Sequence, residues 1–176
     1  ADEVLALYGS AHLIINNAGV AVSQTVAELT YDDFEWIMGI NFWGMVYGTK
    51  AFLPHLLQNN EGHIVNVSSI FGIIAVPTQA AYNAAKFAVR GYTEALHQEL
   101  AGTNVRVTCV HPGGIKTEIV KRGRHYEDAV GRSTDVESAA RRFEKMARTS
   151  ALPSSFSRLT GASRPAMALR TSSSAS

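Results

Sequence analysis

The sequence holds a single cysteine, Cys109. One thiol excludes an intrachain disulfide framework and a multi-cysteine metal site. The six histidines (His12, His55, His63, His97, His111 and His125) show no H-x-x-x-H spacing, so no metal is expected. Excess charge is also missing: 16 Lys+Arg face 15 Asp+Glu, for a net +1. That balance excludes nucleic-acid binding driven by a whole-protein positive field. No basic segment opens the chain, where Asp2 and Glu3 stand, so no signal peptide is read. The longest stretch without Asp, Glu, Lys, Arg or His runs from Ile64 to Ala85. Asn66, Ser68, Ser69, Pro77, Gln79 and Asn83 interrupt it, which excludes a membrane span. A reducing, cytoplasmic setting follows as the expectation, with neither nucleic acid nor membrane as partner.

What is present is 46% apolar residues in a chain of 176, enough for one domain with a real core. Residues 3–8 read as the end of a helix closed by Gly9. Leu13-Ile14-Ile15 suits a buried parallel strand. Thr30 with Asp32 and Asp33 marks an N-cap and an acidic first turn. Helical spacing then runs to about Asn59, with a kink or break predicted near Asn41 between Gly39 and Gly44. Ile64 to Val67 is the next strand. Ala80 to Ala101 is a long helix with Ala84, Phe87, Ala88, Tyr92, Ala95, Leu96 and Leu100 as its predicted apolar stripe. Val105 to Val110 is a third strand, and Asp135 to Arg148 reads as a helix. Strands alternating with crossover helices predict an α/β fold with a parallel sheet flanked by helices. The Gly44-to-Gly48 G-x-x-x-G pair reads as a soluble packing feature. All acids lie before residue 150, and residues 151–176 carry eight Ser and five Ala without an acid or a lysine. That tail is expected to be disordered or non-native.

Tyr82 and Lys86 lie four apart, on one face of the long helix. An ammonium near a phenol favours the phenolate, so the pair can supply a general acid/base. The plainer alternative is a solvated helix face. Position argues further. Ser68-Ser69 follows the second strand, Asn16-Asn17-Ala18-Gly19 the first, and Pro112-Gly113-Gly114 the third. In open parallel sheets ligands bind outside the carboxyl ends of the strands.

These residues together resemble the short-chain dehydrogenase/reductase family. The resemblance rests on Asn16-Asn17-Ala18-Gly19, Asn41, Ser69 with Tyr82-x-x-x-Lys86, and Pro112-Gly113 followed by Thr117. It covers about residues 1–148 and implies a partial Rossmann-type doubly wound parallel sheet. It also implies hydride transfer between NAD or NADP and a small-molecule alcohol or carbonyl. By resemblance Tyr82 is the proton donor or acceptor, and Lys86 lowers its pKa and holds the nicotinamide ribose. Ser69 fixes the substrate oxygen, and the Asn41 main chain holds a water linked to Lys86. Asn16, Ala18 and Gly19 line the adenosine side. Pro112, Gly113, Ile115 and Thr117 lie against the nicotinamide. As single residues, Asn41 could instead cap a helix and Thr117 could be a loop hydroxyl.

The family's glycine-rich turn, T-G-x-x-x-G-x-G, does not occur in the chain. By resemblance residues 1–148 are a partial NAD(P)-binding domain without its first βαβαβ part; 149–176 are expected to be a Ser/Ala-rich tail, disordered or non-native. Taken alone, the chain is therefore expected neither to bind the dinucleotide tightly nor to turn over. A non-catalytic binding protein on a truncated fold is the rival reading. Association through the helices at about 42–59 and 80–101 is implied for the full-length form, with Phe42, Trp43, Tyr47 and Phe87 as apolar surface. Ordinary core burial would explain those four residues equally well.

Overall fold

The computed structural model describes residues 1–113, 119 and 123–126. Helix α1 (Asp2–Tyr8) ends at Gly9, whose φ of 75° closes it. Strand β1 (Leu13–Asn16) follows, then the two-residue strand β2 (Val22–Ser23). Helix α2 (Tyr31–Met38) opens at Thr30, whose hydroxyl accepts the Asp33 N–H as the sequence predicts. The kink expected near Asn41 is a π-helical turn, Gly39–Trp43, closed by a bond from the Gly44 N–H to the Gly39 carbonyl. The chain continues without a break into α3 (Gly44–Asn59). A π turn widens a helix by one residue and often marks a functional position. Strand β3 (Gly62–Val67), a 3₁₀ turn (Ile70–Gly72), α4 (Ala80–Glu99), β4 (Val105–Val110) and β5 (Arg124–His125) complete the order.

β1, β3 and β4 form a parallel sheet in that order, with Ile14 opposite Ile64 and Ile64 opposite Val107. Helices α3 and α4 cover one face, where Leu56, Ile64, Leu96, Leu100, Val105 and Val107 form a core. On the other face Leu13 and Ile15 stay 56% and 58% exposed, which corrects the expectation of a buried strand there. A second, two-stranded parallel sheet joins β2 to β5, which the sequence reading did not anticipate. The predicted stripe of α4 needs correction. Tyr82, Ala85, Lys86, Val89, Thr93 and Leu96 face inward, whereas Ala84, Phe87 and Ala95 are exposed. The helix turns the polar Tyr82, Lys86 and Thr93 inside, so hydrophobicity alone picks the wrong face. The Gly48 half of the G-x-x-x-G pair is a packing site, since a Cβ there would collide with Asn16 Oδ1. The expected helix 135–148 and the tail 149–176 lie outside the described residues.

Candidate active site

The carboxyl end of β3 turns at Ser68-Ser69 into the 3₁₀ turn. Ser69 caps that turn, its Oγ accepting the Phe71 N–H at 3.2 Å. Ser68 Oγ donates to the Lys86 carbonyl at 2.9 Å and ties the turn to α4. His111, after β4, bonds through Nδ1 to the Ser69 carbonyl at 3.0 Å. The Pro112 carbonyl accepts the Ile70 N–H at 2.9 Å. The loops after β3 and β4 are thereby locked to each other beneath the first turns of α4.

On α4, Tyr82 and Lys86 are only 9% and 3% exposed. This is no solvated helix face. Lys86 Nζ donates to the Val67 carbonyl at 2.9 Å and stands 5.7 Å from the centroid of the Tyr82 ring. Burial lowers the Lys86 ammonium to a pKa of about 8. Burial also pushes the Tyr82 phenol up, and a hydrogen bond with Ser69 draws it partly back. The sequence suggests a phenol lowered by Lys86; the net shift here is upward, with burial its largest cause. Phe71 packs edge-on against the ring, with centroids 6.1 Å apart.

Asn41 is buried and does not cap a helix. Its Oδ1 accepts the Val20 N–H and its Nδ2 donates to the Val20 carbonyl, both at 2.8 Å. The π turn thus holds the loop that follows Gly19. A Cβ on Gly19 would stand 3.6 Å from Asn41 Oδ1 and 3.7 Å from Lys86 Nζ, so Gly19, Asn41 and Lys86 share one place. Asn16 lies deeper. Its Nδ2 donates to Thr49 Oγ1 at 3.0 Å and to Asn66 Oδ1 at 2.8 Å, bracing β1 against α3 and β3. Asn66 in turn donates to Thr93 Oγ1 at 3.0 Å. Thr49, Asn66 and Thr93 belong to no motif in the sequence and are not among its predicted site residues. A polar residue inside the run Ile64 to Val67 was the available signal. Ala18 is exposed, Pro112 is half-buried and Gly113 is exposed. Ile115 and Thr117 lie outside the described residues. Among those described, no group of His, Cys, Asp and Glu could hold a metal, and no helix is long and apolar enough to cross a membrane.

A parallel sheet flanked by helices, with Ser, Tyr and Lys gathered at its carboxyl edge, defines a partial Rossmann-type fold. Residues 1–128 match the short chain dehydrogenase family, and the chain belongs to it. It is 58% identical over 123 residues to the oxidoreductase SadH of Mycobacterium tuberculosis, covering 69% of this chain and 45% of SadH. It is 34% identical over 134 residues to a 3-ketodihydrosphingosine reductase of Bacteroides thetaiotaomicron, covering 76% of this chain and 49% of that one. A short chain dehydrogenase/reductase of Burkholderia phymatum, solved in complex with NAD, superposes with a TM-score of 0.70 at 31% identity. That match covers 86% of this chain and 56% of the other. A metagenomic short-chain oxidoreductase in complex with NADP gives 0.61 at 31% identity, covering 64% of this chain and 51% of that one. The chain thus spans less than half of SadH and of the Bacteroides reductase.

Proposed function

We propose that the protein is an NAD(P)-dependent oxidoreductase that interconverts a small-molecule alcohol and its carbonyl. The observation that carries this reading is the burial of Lys86 beside Tyr82, its Nζ 5.7 Å from the centroid of that ring. An ammonium is costly to bury and is retained where it has work to do. The residues fit a nicotinamide dinucleotide. Gly19 leaves the main chain approachable beside Lys86 Nζ and Asn41, and the donors gathered there suit sugar hydroxyls. Such a cofactor supplies the hydride when bound. Lys86 would hold its ribose, Asn16, Ala18 and Gly19 its adenosine side, and Pro112, Gly113, Ile115 and Thr117 its nicotinamide side. Ser69 orients the substrate oxygen. Tyr82 gives that oxygen a proton in reduction and takes it back in oxidation. A phenol kept protonated by burial is already in the donating state.

Tyr82→Phe tests the reading. In the natural protein, carbonyl reduction should fall about 100- to 10,000-fold, the span of one general acid. Unchanged turnover would leave the non-catalytic binding protein as the better account. The reading extends to a cytoplasmic protein whose copies associate through α3 and α4.

A further inference from the structure

Asp33 does more than favour the first turn of α2. Its carboxylate is buried, yet three side chains converge on it. Oδ1 accepts from Arg124 Nη1 at 2.6 Å and from the Tyr126 hydroxyl at 3.0 Å. Oδ2 accepts from Thr30 Oγ1 at 2.9 Å. The Arg124 guanidinium also lies over the Trp36 ring, 4.1 Å from its centroid. The main chain repeats the attachment. Arg124 N–H donates to the Ala21 carbonyl at 2.9 Å, and β5 pairs with β2 in parallel register. Gly123 passes so close that a Cβ would meet the Ala21 oxygen at 2.8 Å, a gap no other residue fits. Just upstream, Ile119 packs into the cluster of Val22, Ile37, Phe71 and Tyr82. Its Cδ1 and Lys86 Nζ both lie 3.7 Å from where a Gly19 Cβ would stand.

We propose that Asp33 is a positioning residue: by clasping Arg124 and Tyr126 it docks Gly123–Tyr126 on β2 and holds Ile119 as an apolar wall over Lys86 and Gly19. A wall held from outside the site sets the shape of what reaches Tyr82, and it favours substrates with a hydrocarbon group beside the carbonyl. The inference rests on the site proposed above, but its test needs no turnover. Lys86 acetylation by acetic anhydride is followed by mass spectrometry, with exposed Lys50 as reference. Asp33→Asn should raise Lys86 labelling about tenfold relative to Lys50, the factor for one charge-assisted hydrogen bond. Ile119→Ala should raise it with the clasp intact, and Arg124→Lys should keep most of the protection. In a Trp43→Phe background, Trp36 emission reports whether Arg124 has left the ring. Unchanged Lys86 labelling in Asp33→Asn with altered Trp36 emission overturns the proposal, as does unchanged labelling in Ile119→Ala. Should Asp33→Asn not fold, Arg124→Ala and Tyr126→Phe put the same question. Loss of the hydride-transfer reading through Tyr82→Phe would leave these labelling results standing.

Discussion

Lys86 is where the chemistry of single residues departs furthest from what composition suggests. Its charge is buried, so folding costs free energy while the ammonium stays protonated. Its pKa falls from 10.5 in the open chain to about 8 in the fold. Between those values the unfolded chain binds the extra proton, so this term makes the protein more stable as pH rises. Tyr82 and Cys109 shift upward and act oppositely at higher pH, which makes a difference measurement necessary. Denaturant unfolding of the wild type and of Lys86→Met from pH 7.5 to 10 (about the window set by these values) should show the gap moving in favour of wild type. A gap independent of pH would show that Lys86 is not held at a lowered pKa. Asp33 shows the contrary balance. Burial alone would raise its carboxyl, but hydrogen bonds from Arg124, Thr30 and Tyr126 outweigh it and lower the pKa.

Elements differ in how legibly the sequence announces them. The three long parallel strands were readable, because short β-branched runs bounded by turn residues have few other uses. Helix α2 was readable from Thr30, and its cap can be measured. Thr30 both accepts the Asp33 N–H and donates to the Asp33 carboxylate. Thr30→Ala should cost about 1 kcal/mol of unfolding free energy, the usual worth of such a cap. A loss near zero in denaturant titrations would mean that Asp33 needs no help from Thr30. The inward face of α4 was not readable by hydropathy, because Tyr82, Lys86 and Thr93 occupy it. Motif spacing located Tyr82 and Lys86 all the same. β2 and β5 were invisible for another reason. Two-residue strands have no period, and their pairing depends on Asp33 and Arg124, ninety-one positions apart in sequence. In the sequence Asp33 is one acid in a first turn. Only the fold brings Arg124 and Tyr126 to it.

For the molecule as a whole, the uncovered surfaces matter most. Trp43, Tyr47 and Phe87 are 48%, 65% and 40% exposed, and Trp43 stacks on Tyr47 with centroids 5.8 Å apart. Core burial accounts for Phe42, which packs near Met45, Val46 and Val89, but not for these three. Exposed aromatics on adjoining helices are the usual makings of an interface. On the association proposed above, Trp43→Glu combined with Tyr47→Glu should shift the protein toward monomer in sedimentation velocity, and unchanged sedimentation would refute association through these residues. The π turn has a last consequence at this scale. An ideal helix turns by about 100° per residue. Deleting one residue between Gly39 and Trp43 would therefore act as a rotation rather than a shortening. Either Ile37 or Thr49 would be swung out of the interior, since both now point inward from opposite sides of that turn. Single-residue insertions and deletions should be tolerated at the chain's surface loops but not here, where one extra residue keeps two helical segments in phase.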